Sequence, residues 1–273
     1  MSFRCIFPGI LSSGAGGGPW DISTASSLQS LTIATNAFSE FGLFFKPDGF
    51  KFFFISENVI YDFGLSTAWD ISTGSQVRSF DVRTDGSPPT VGSTIVPSAV
   101  YFESDGLSMY VVDYNNVLVF KYSLSTAWDI STATFSQSCS ARTNVALGLF
   151  FKPDGSKLYI TSNSANRIQE SNLTTPWDLS TETPVQAFTL ASGTNASDLF
   201  FRDDGLKMYL IASAADNVLE YDLSTAWDVS TLSLVQSFSV TNEISEPASL
   251  FFKPDGTKMY VAGSNIVNEY NLG

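Results

Sequence analysis

All five tryptophans of this 273-residue chain stand in a Trp-Asp dipeptide, which recurs about every 50 residues. The tryptophans are Trp20, Trp69, Trp128, Trp177 and Trp227. A second marker, an Asp-Gly pair behind two aromatic residues as in FFKPDGTKMY, recurs with the same period. Its aspartates are Asp48, Asp105, Asp154, Asp204 and Asp255. A repeat of this length is typical of solenoids, propellers and arrays, in which each unit buries its apolar face against the next.

Each repeat is predicted to form four short strands. In the fourth repeat we expect them at 197–201, 207–211, 218–223 and 233–240. The Asp204-Gly205 pair lies between two apolar runs, which is a strong signal for a hairpin. Apolar and polar residues alternate along 233–240 with the period of a strand, and no window has a long helical period. Four antiparallel strands per repeat predict one blade of a β-propeller.

The two ends of the chain together supply one blade. The chain stops at Leu272-Gly273, in the third strand of the fifth repeat, whereas a Trp-Asp loop and an outer strand stand near the start, at 20–24 and 27–33. We therefore expect an all-β, five-bladed propeller over residues 17–273, in which the N-terminal strand closes the last blade. This pairing also removes an exposed strand edge. Residues 1–16 are expected to form a separate arm.

Composition excludes several classes of function. The chain has 14 Lys and Arg against 27 Asp and Glu, a formal charge of −13, and no His. The absence of His rules out Ser-His-Asp hydrolysis, Cys-His thiol proteases and HExxH zinc sites. The acidic balance argues against nucleic-acid binding. No loop places several carboxylates at alternate positions as a calcium loop does, so we expect neither a metal nor a cofactor.

Cysteine usage and hydropathy bear on the compartment. Cys5 and Cys139 match no ligand spacing and are expected to be free structural thiols. There is no run of 18 apolar residues, so no transmembrane helix and no membrane insertion are expected. The apolar stretch at 5–7 ends at Pro8-Gly9, which is shorter than the core of a secretory signal.

The innermost strands were considered as a catalytic centre, because five-bladed glycosidases hold carboxylates near the axis. The residues six positions before each turn aspartate are Gly42, Ala99, Gly148, Asp198 and Ser249. Only Asp198 is acidic among them, so we expect that the protein is not an enzyme. Glycoside hydrolysis remains an alternative, in which Glu40, Glu243 or Glu246 of nearby loops would supply the second carboxylate.

The Trp-Asp dipeptides have two interpretations. Five nearly identical sites indicate a structural part of each blade, with Trp capping the blade core and Asp, Ser and Thr bonding loop N–H groups. The alternative is five carbohydrate-stacking sites. The Lys-Pro-Asp-Gly segments are interpreted as turns, because Pro presets φ and Gly adopts a positive φ.

Variation between the repeats is confined to one end of the predicted propeller. The loops between strands 2 and 3 and the connections between blades share this end and differ from blade to blade, and the extra residues of the second repeat, 84–90, also lie here. Because loops carry function more often than scaffolds do, we expect this end to bind a ligand; the alternative is drift of loops without a role. The candidate binding residues are Asp85, Pro88, Asn115, Asn144, Asn163, Asn195, Asp198, Asp216, Asn242 and Glu243.

The N-terminal arm combines apolar residues with a flexible Ser/Gly-rich link at 12–18. Its apolar residues are Phe3, Ile6, Phe7, Ile10 and Leu11. This pattern favours an anchor that docks onto another subunit, although folding back onto the propeller is an alternative.

The hairpin sequence FFKPDGxKMYV resembles the repeats of YVTN-type bacterial propellers. The whole repeat, which includes LSTAWDIST, resembles repeats of uncharacterised marine bacteriophage and bacterial proteins. The chain departs from WD-repeat propellers, which pair Trp-Asp with an upstream Gly-His. The resemblance implies a non-enzymatic binding or display module of a virion, made in the host cytoplasm, that presents the variable loops to a host receptor or glycan. Its arm would contact other virion proteins, and a homo-oligomer is left open. Alternatives are a structural decoration protein of the capsid or tail, a bacterial lectin and, last, a glycosidase.

Overall fold

The computed structural model describes residues 18–33, 40–85, 88 and 94–273, and it contains five four-stranded antiparallel sheets. Blade 1 consists of β2 (Glu40–Phe45), β3 (Lys51–Ser56), β4 (Val59–Leu65) and β5 (Gly74–Asp81). Blade 2 consists of β6 (Pro97–Phe102), β7 (Ser108–Asp113), β8 (Leu118–Leu124) and β9 (Ala133–Ser140). Blade 3 consists of β10 (Leu149–Phe151), β11 (Lys157–Ser162), β12 (Arg167–Leu173) and β13 (Glu182–Thr189).

Blades 4 and 5 complete the ring. Blade 4 consists of β14 (Ala196–Phe201), β15 (Lys207–Ala212), β16 (Asn217–Leu223) and β17 (Leu232–Ser239). Blade 5 consists of β18 (Ser249–Phe252), β19 (Lys258–Gly263), β20 (Ile266–Asn271) and the N-terminal strand β1 (Ser26–Thr32). The pairing of Ser26 with Asn271 and of Thr32 with Ile266 confirms the predicted closure of the last blade. The predicted five-bladed all-β propeller is therefore correct.

Residues 1–17 lie outside the described part, and with them the predicted anchor and Cys5. Cys139 is a free, partly buried thiol, and burial raises its pKa to about 12. No helix within the described ranges is long and apolar enough to cross a membrane. Short 3₁₀ helices follow each Trp-Asp pair, at Ile22–Thr24, Ile71–Thr73, Ile130–Thr132, Leu179–Thr181 and Val229–Thr231, and a sixth spans Ser213–Ala215.

Each Trp-Asp pair is a local structural unit of its blade. The five tryptophans have φ between 63° and 74°, and their amides donate to the carbonyl of the turn glycine at 2.8–3.0 Å. In blade 4 the Trp227 indole covers Gly205 so closely that a Cβ there would lie 2.4 Å from the ring. The aspartate accepts a hydrogen bond from the serine amide two residues later, as Asp228 does from Ser230 at 3.0 Å, and so caps the following 3₁₀ helix.

The tryptophan carbonyls also connect neighbouring blades. The hydroxyl of Tyr159 in blade 3 donates to the carbonyl of Trp227 in blade 4 at 2.7 Å. The same bond recurs from Tyr110 to Trp177, from Tyr209 to Trp20 and from Tyr260 to Trp69. Blade 1 has Phe53 at this position. There the carbonyl of Trp128 accepts from the Lys51 ammonium at 3.3 Å, a lysine bond that Lys121 and Lys258 also make beside their tyrosines. We call this tyrosine-to-tryptophan bond the blade latch.

The outer strands contribute a second connection through a β-bulge. In blade 4 the pairing shifts register between Glu220 and Tyr221, so that Val235 is the extra residue of β17 and is 48% exposed. The bulge turns the next residue, Gln236, inward, where its amide donates to Glu220 at 2.7 Å and to Asp21 of blade 5 at 2.9 Å. A buried Lys–Glu ion pair, Lys207 with Glu220, completes the connection.

Restoring the missing latch in blade 1 is expected to stabilise the protein. In Phe53→Tyr the new hydroxyl would meet the Trp128 carbonyl as the four tyrosines do, and we expect a gain of about 1 kcal/mol in the free energy of unfolding. The reverse change, Tyr159→Phe, should lose a similar amount because it leaves the buried Trp227 carbonyl without its donor. Urea denaturation of both variants measures this, and a destabilised Phe53→Tyr would contradict the latch.

Candidate functional site

The two ends of the propeller carry different kinds of loop. The turn face carries the Asp-Gly turns and the Trp-Asp loops. The variable face carries the loops between strands 2 and 3 and the connections between blades. Its described segments are 56–58, 82–85, 94–96, 113–117, 141–148, 162–166, 190–195, 213–217, 240–248 and 263–265.

Hydrogen bonds join the variable loops of blades 3 to 5 into one surface. The Asn195 amide donates to the side chain of Asn166 at 2.7 Å, and the Ser213 hydroxyl donates to the Asn195 carbonyl at 2.9 Å. Further on, the Glu246 amide donates to the Asp216 carboxylate at 3.2 Å. Loops of three neighbouring blades are therefore held in fixed relative positions although their sequences differ.

Blades 1 and 2 continue this surface. The side-chain amide of Asn115 donates to the Thr94 carbonyl at 2.9 Å, across the connection that enters blade 2. Arg83 forms a two-pronged ion pair with Asp81, and the Asp85 carboxylate accepts from the Asp81 amide at 2.9 Å. The long connection of blade 2 is thus anchored at both of its described ends.

Nine of the ten predicted binding residues lie on the variable face. The side chains of Asp85, Asn115, Asn144, Asn195 and Asn242 are exposed, and those of Pro88, Asn163, Asp216 and Glu243 are partly exposed. The exception is Asp198, which is only 7% exposed and lies on the innermost strand β14 rather than in a loop.

Asp198 interrupts a ring of small residues around the axis, formed with Gly42, Ala99, Gly148 and Ser249. Its carboxylate accepts from the Ser249 hydroxyl at 2.5 Å, from the Leu250 amide at 3.0 Å and from the Leu199 amide at 2.9 Å. A Cβ on Gly148 would lie 2.5 Å from the same carboxylate, so a glycine is required there. Burial raises the pKa of Asp198 to about 7, although the three donors act in the opposite direction.

A ring of five aromatic side chains closes the axis two residues further along each inner strand. Its members are Phe44, Tyr101, Phe150, Phe200 and Phe251. Successive ring centroids are 5.2–5.8 Å apart and the planes meet at 64–73°, so every contact is edge to face. The cavity between this ring and Asp198 has room for water but not for a sugar ring.

A sugar ring or a larger ligand does not fit this axial cavity. Within the described residues, no three His, Cys, Asp or Glu side chains are grouped closely enough to hold a metal ion. The tryptophans do not form stacking platforms on this face, because their indoles cover the turn glycines at the opposite end, and Trp69 and Trp227 are only 9% exposed.

Sequence reasoning missed one residue of this surface, Tyr114. It follows β7 in the strand 2–3 loop of blade 2, its amide donates to the Val96 carbonyl at 2.8 Å, and its side chain is partly exposed. It is the single aromatic residue in the five strand 2–3 loops at 56–58, 113–117, 162–166, 213–217 and 263–265. That contrast was visible in the sequence and marks Tyr114 as a group on which a sugar ring can stack.

No protein-family model and no curated protein matches the chain. The glutaminyl cyclase of Myxococcus xanthus has a similar structure, with a TM-score of 0.61 at 14% identity over 91% of this chain and 96% of that one. A putative 6-phosphogluconolactonase from Bacteroides uniformis matches with a TM-score of 0.49 at 18% identity over 81% of this chain. The periplasmic gluconolactonase of Pseudomonas aeruginosa matches with a TM-score of 0.49 at 17% identity over 84%. The chain spans 63% and 64% of the lengths of these last two proteins.

These comparisons correct the expectation that the protein is not an enzyme. That expectation rested on the missing His and on Asp198 as the lone axial carboxyl, yet the structure that matches with a TM-score of 0.61 carries the name of an enzyme, a glutaminyl cyclase. A chain with a similar fold is therefore named as an enzyme, so the fold by itself is compatible with catalysis. At these identities the likeness shows the fold alone, and it assigns no reaction to this chain.

Proposed function

We propose that the protein is a recognition module that binds a polysaccharide across its variable face. The observation that carries this proposal is the division between the two ends of the propeller. Residues repeated in every blade, Trp, Asp and the turn Gly, are used to build and join the blades at the turn face. The other end is joined by hydrogen bonds between the loops of blades 3 to 5, but its residues differ from blade to blade and present amide, hydroxyl and carboxyl groups.

The surface chemistry favours an uncharged or weakly charged polymer. A formal charge of −13 gives no long-range attraction to anionic cell surfaces, so binding must come from local contacts and from several weak sites acting together. The exposed side chains of Asn115, Asn144, Asn195 and Asn242 are suited to sugar hydroxyls, because an amide both donates and accepts. Tyr114 adds an aromatic face beside Asn115.

Replacing Tyr114 by alanine should weaken glycan binding about 5- to 30-fold, because stacking and burial of one aromatic ring on a sugar contribute on the order of 1–2 kcal/mol. The matched control is Phe50→Ala, which removes a 52% exposed aromatic ring from the turn face and should leave binding unchanged. Both variants and the parent would be applied to a panel of purified bacterial capsular and lipopolysaccharide glycans. Equal loss in both variants, or binding by none of the proteins, would contradict the proposal.

The same incubations should be assayed for release of reducing sugar ends. Release by the parent protein would show that recognition at the variable face is coupled to hydrolysis. Asn115→Ala, which removes a candidate ligand contact, should then lower the rate in proportion to the lost binding.

We also propose that the protein serves as a component of a bacteriophage virion, attached by residues 1–16. The proposal is supported by the resemblance of the repeats to repeat sequences of bacteriophage proteins and by the apolar residues of the arm, Phe3, Ile6, Phe7, Ile10 and Leu11. Deletion of 1–16 should abolish incorporation into particles while glycan binding persists. If incorporation persists as well, the arm is not the anchor; if particles assemble but the protein binds no glycan, a decoration protein is the better description.

A further inference from the structure

The carboxyl group of Asp198 belongs to a hydrogen-bonded cluster that joins several blades near the axis. It stands on β14 of blade 4 and accepts from Ser249 and Leu250 on β18 of blade 5. Ser249 in turn accepts from the Leu43 amide on β2 of blade 1 at 2.9 Å. On its other side the carboxylate lies against the backbone of Gly148 in blade 3. The inner strands of four blades thus meet at one titratable group.

We propose that Asp198 is a proton-dependent clasp of the propeller axis, which holds the inner strands of blades 4, 5 and 1 most strongly when its carboxyl group is protonated. In the ionised form three donors point at the carboxylate, and Ser249 donates its hydroxyl hydrogen to it. In the protonated form the bond reverses, so that Asp198 donates to the Ser249 oxygen. That oxygen can accept it while still accepting from Leu43, because a hydroxyl has two acceptor positions.

The surroundings explain why the protonated form is favoured in the folded protein. In the described structure no charged side chain faces Asp198 from the strands packed against it. Lys157 of β11 and Lys207 of β15 lie at the opposite ends of their strands and are paired with Glu170 and Glu220. Around the axis beside it lie Gly42 of β2, Ala99 of β6, Ser249 of β18 and Gly148, which directly precedes β10. A buried anion without a cation is costly, and protonation removes that cost.

The direction of the pH dependence follows from this asymmetry. Burial raises the pKa of Asp198 in the folded state from an ordinary value of 3.8 to about 7. Between these values the folded protein holds one proton more than the unfolded chain, so its stability falls as pH rises and levels off above the folded pKa. The unfolding equilibrium constant should increase by up to about tenfold per pH unit across this window.

Few other groups interfere in this range. The chain has no His, and the cap aspartates have lowered pKa values because the hydroxyl of the serine two residues later bonds to each of them. Two further acids, Asp62 and Asp203, have pKa values raised by burial. Asp62 lies on β4 of blade 1, away from the axial ring, and so provides a matched control.

The test is an NMR pH titration of the full-length protein from pH 4.5 to 8.5, following the amide signals of Leu43, Leu199 and Leu250. We expect a shared midpoint near pH 7 in the parent and in Asp62→Asn, and its loss in Asp198→Asn. Urea denaturation at pH 5 and pH 8 should show the parent to be more stable at pH 5, a difference reduced in Asp198→Asn.

A second variant keeps the test decisive if Asp198→Asn does not fold. In Ser249→Ala both forms of Asp198 lose a hydrogen bond, but the bond to the ionised carboxylate is the stronger one, so the midpoint reported by Leu199 and Leu250 should move to higher pH. Three results would each overturn the proposal: amide signals without a titration midpoint between pH 4.5 and 8.5, a midpoint that survives in Asp198→Asn, or a midpoint that is unmoved in Ser249→Ala.

Discussion

Gly205→Ala is expected to destabilise the propeller by about 3 kcal/mol or more, whereas Gly193→Ala should cost only about 1 kcal/mol. The two glycines have similar positive φ values, 70° and 81°, so an added Cβ imposes a similar backbone penalty on both. They differ in what the Cβ would meet. At Gly205 it would lie 2.4 Å from the Trp227 ring, whereas at Gly193 nothing lies within 4 Å.

The displaced indole makes the first substitution costly. Trp227 packs against Phe201 with ring centroids 5.3 Å apart, and its carbonyl accepts the latch bond from Tyr159 of the preceding blade. A shift of the indole therefore disturbs both the core of blade 4 and its contact with blade 3. Guanidinium denaturation followed by tryptophan fluorescence measures both variants, and equal losses would show that the close Trp-Gly contact is not a main determinant of stability.

Removal of residues 1–33 is expected to abolish a stable monomeric fold, even though only one strand of twenty is lost. Without β1, the edge of β20 is exposed, and unpaired strand edges favour aggregation. The Gln29 side chain, which donates to Glu269 of its own blade and to Asp70 of blade 1 at 2.7 Å each, is lost as well. The Trp20 carbonyl, the acceptor for Tyr209 of blade 4, is also removed.

A circular permutant tests whether stability depends on the closure of blade 5 by β1 or on the position of the chain termini. Joining residue 273 to residue 18 through a short Gly/Ser linker and placing new termini in the connection between β5 and β6 keeps every described strand. The linker has little to span, because the Gly273 amide already donates to the Thr24 hydroxyl at 3.1 Å. We expect this permutant to be monomeric and to melt cooperatively near the parent, as judged by circular dichroism and light scattering. A stable monomer after deletion of 1–33 would contradict the importance of closure.

Sequence periodicity was sufficient for the architecture because each marker has a local cause. The Asp-Gly turns require a positive φ at glycine, and the complementary chain ends require a shared blade, so both could be read without coordinates. The latch could not, because the hydroxyl of Tyr159 and the carbonyl of Trp227 are 68 residues apart and meet only when two blades pack. The bulge that turns Gln236 inward likewise depends on pairing between β16 and β17.

The site was predicted less completely than the fold. Strand topology was sufficient to predict that the variable loops share one end of the propeller, and nine of the ten predicted binding residues lie on that variable face. Asp198 was noticed as the lone acid of its ring, but its donors come from Leu250 and Ser249 of the next blade, about 50 residues away. Tyr114 was not predicted, because the candidates were mostly polar loop residues, although a single aromatic residue among short polar loops is itself a usable signal.

Hydrogen-exchange mass spectrometry would show whether a ligand is recognised on the variable face. The full-length protein would be measured alone and with the best-binding polysaccharide of the glycan panel. We predict slower exchange in 113–117, 141–148, 190–195 and 240–248, and no change in the Asp-Gly turns or Trp-Asp loops. Protection confined to the turn face, or no protection at saturating polysaccharide, would contradict the account.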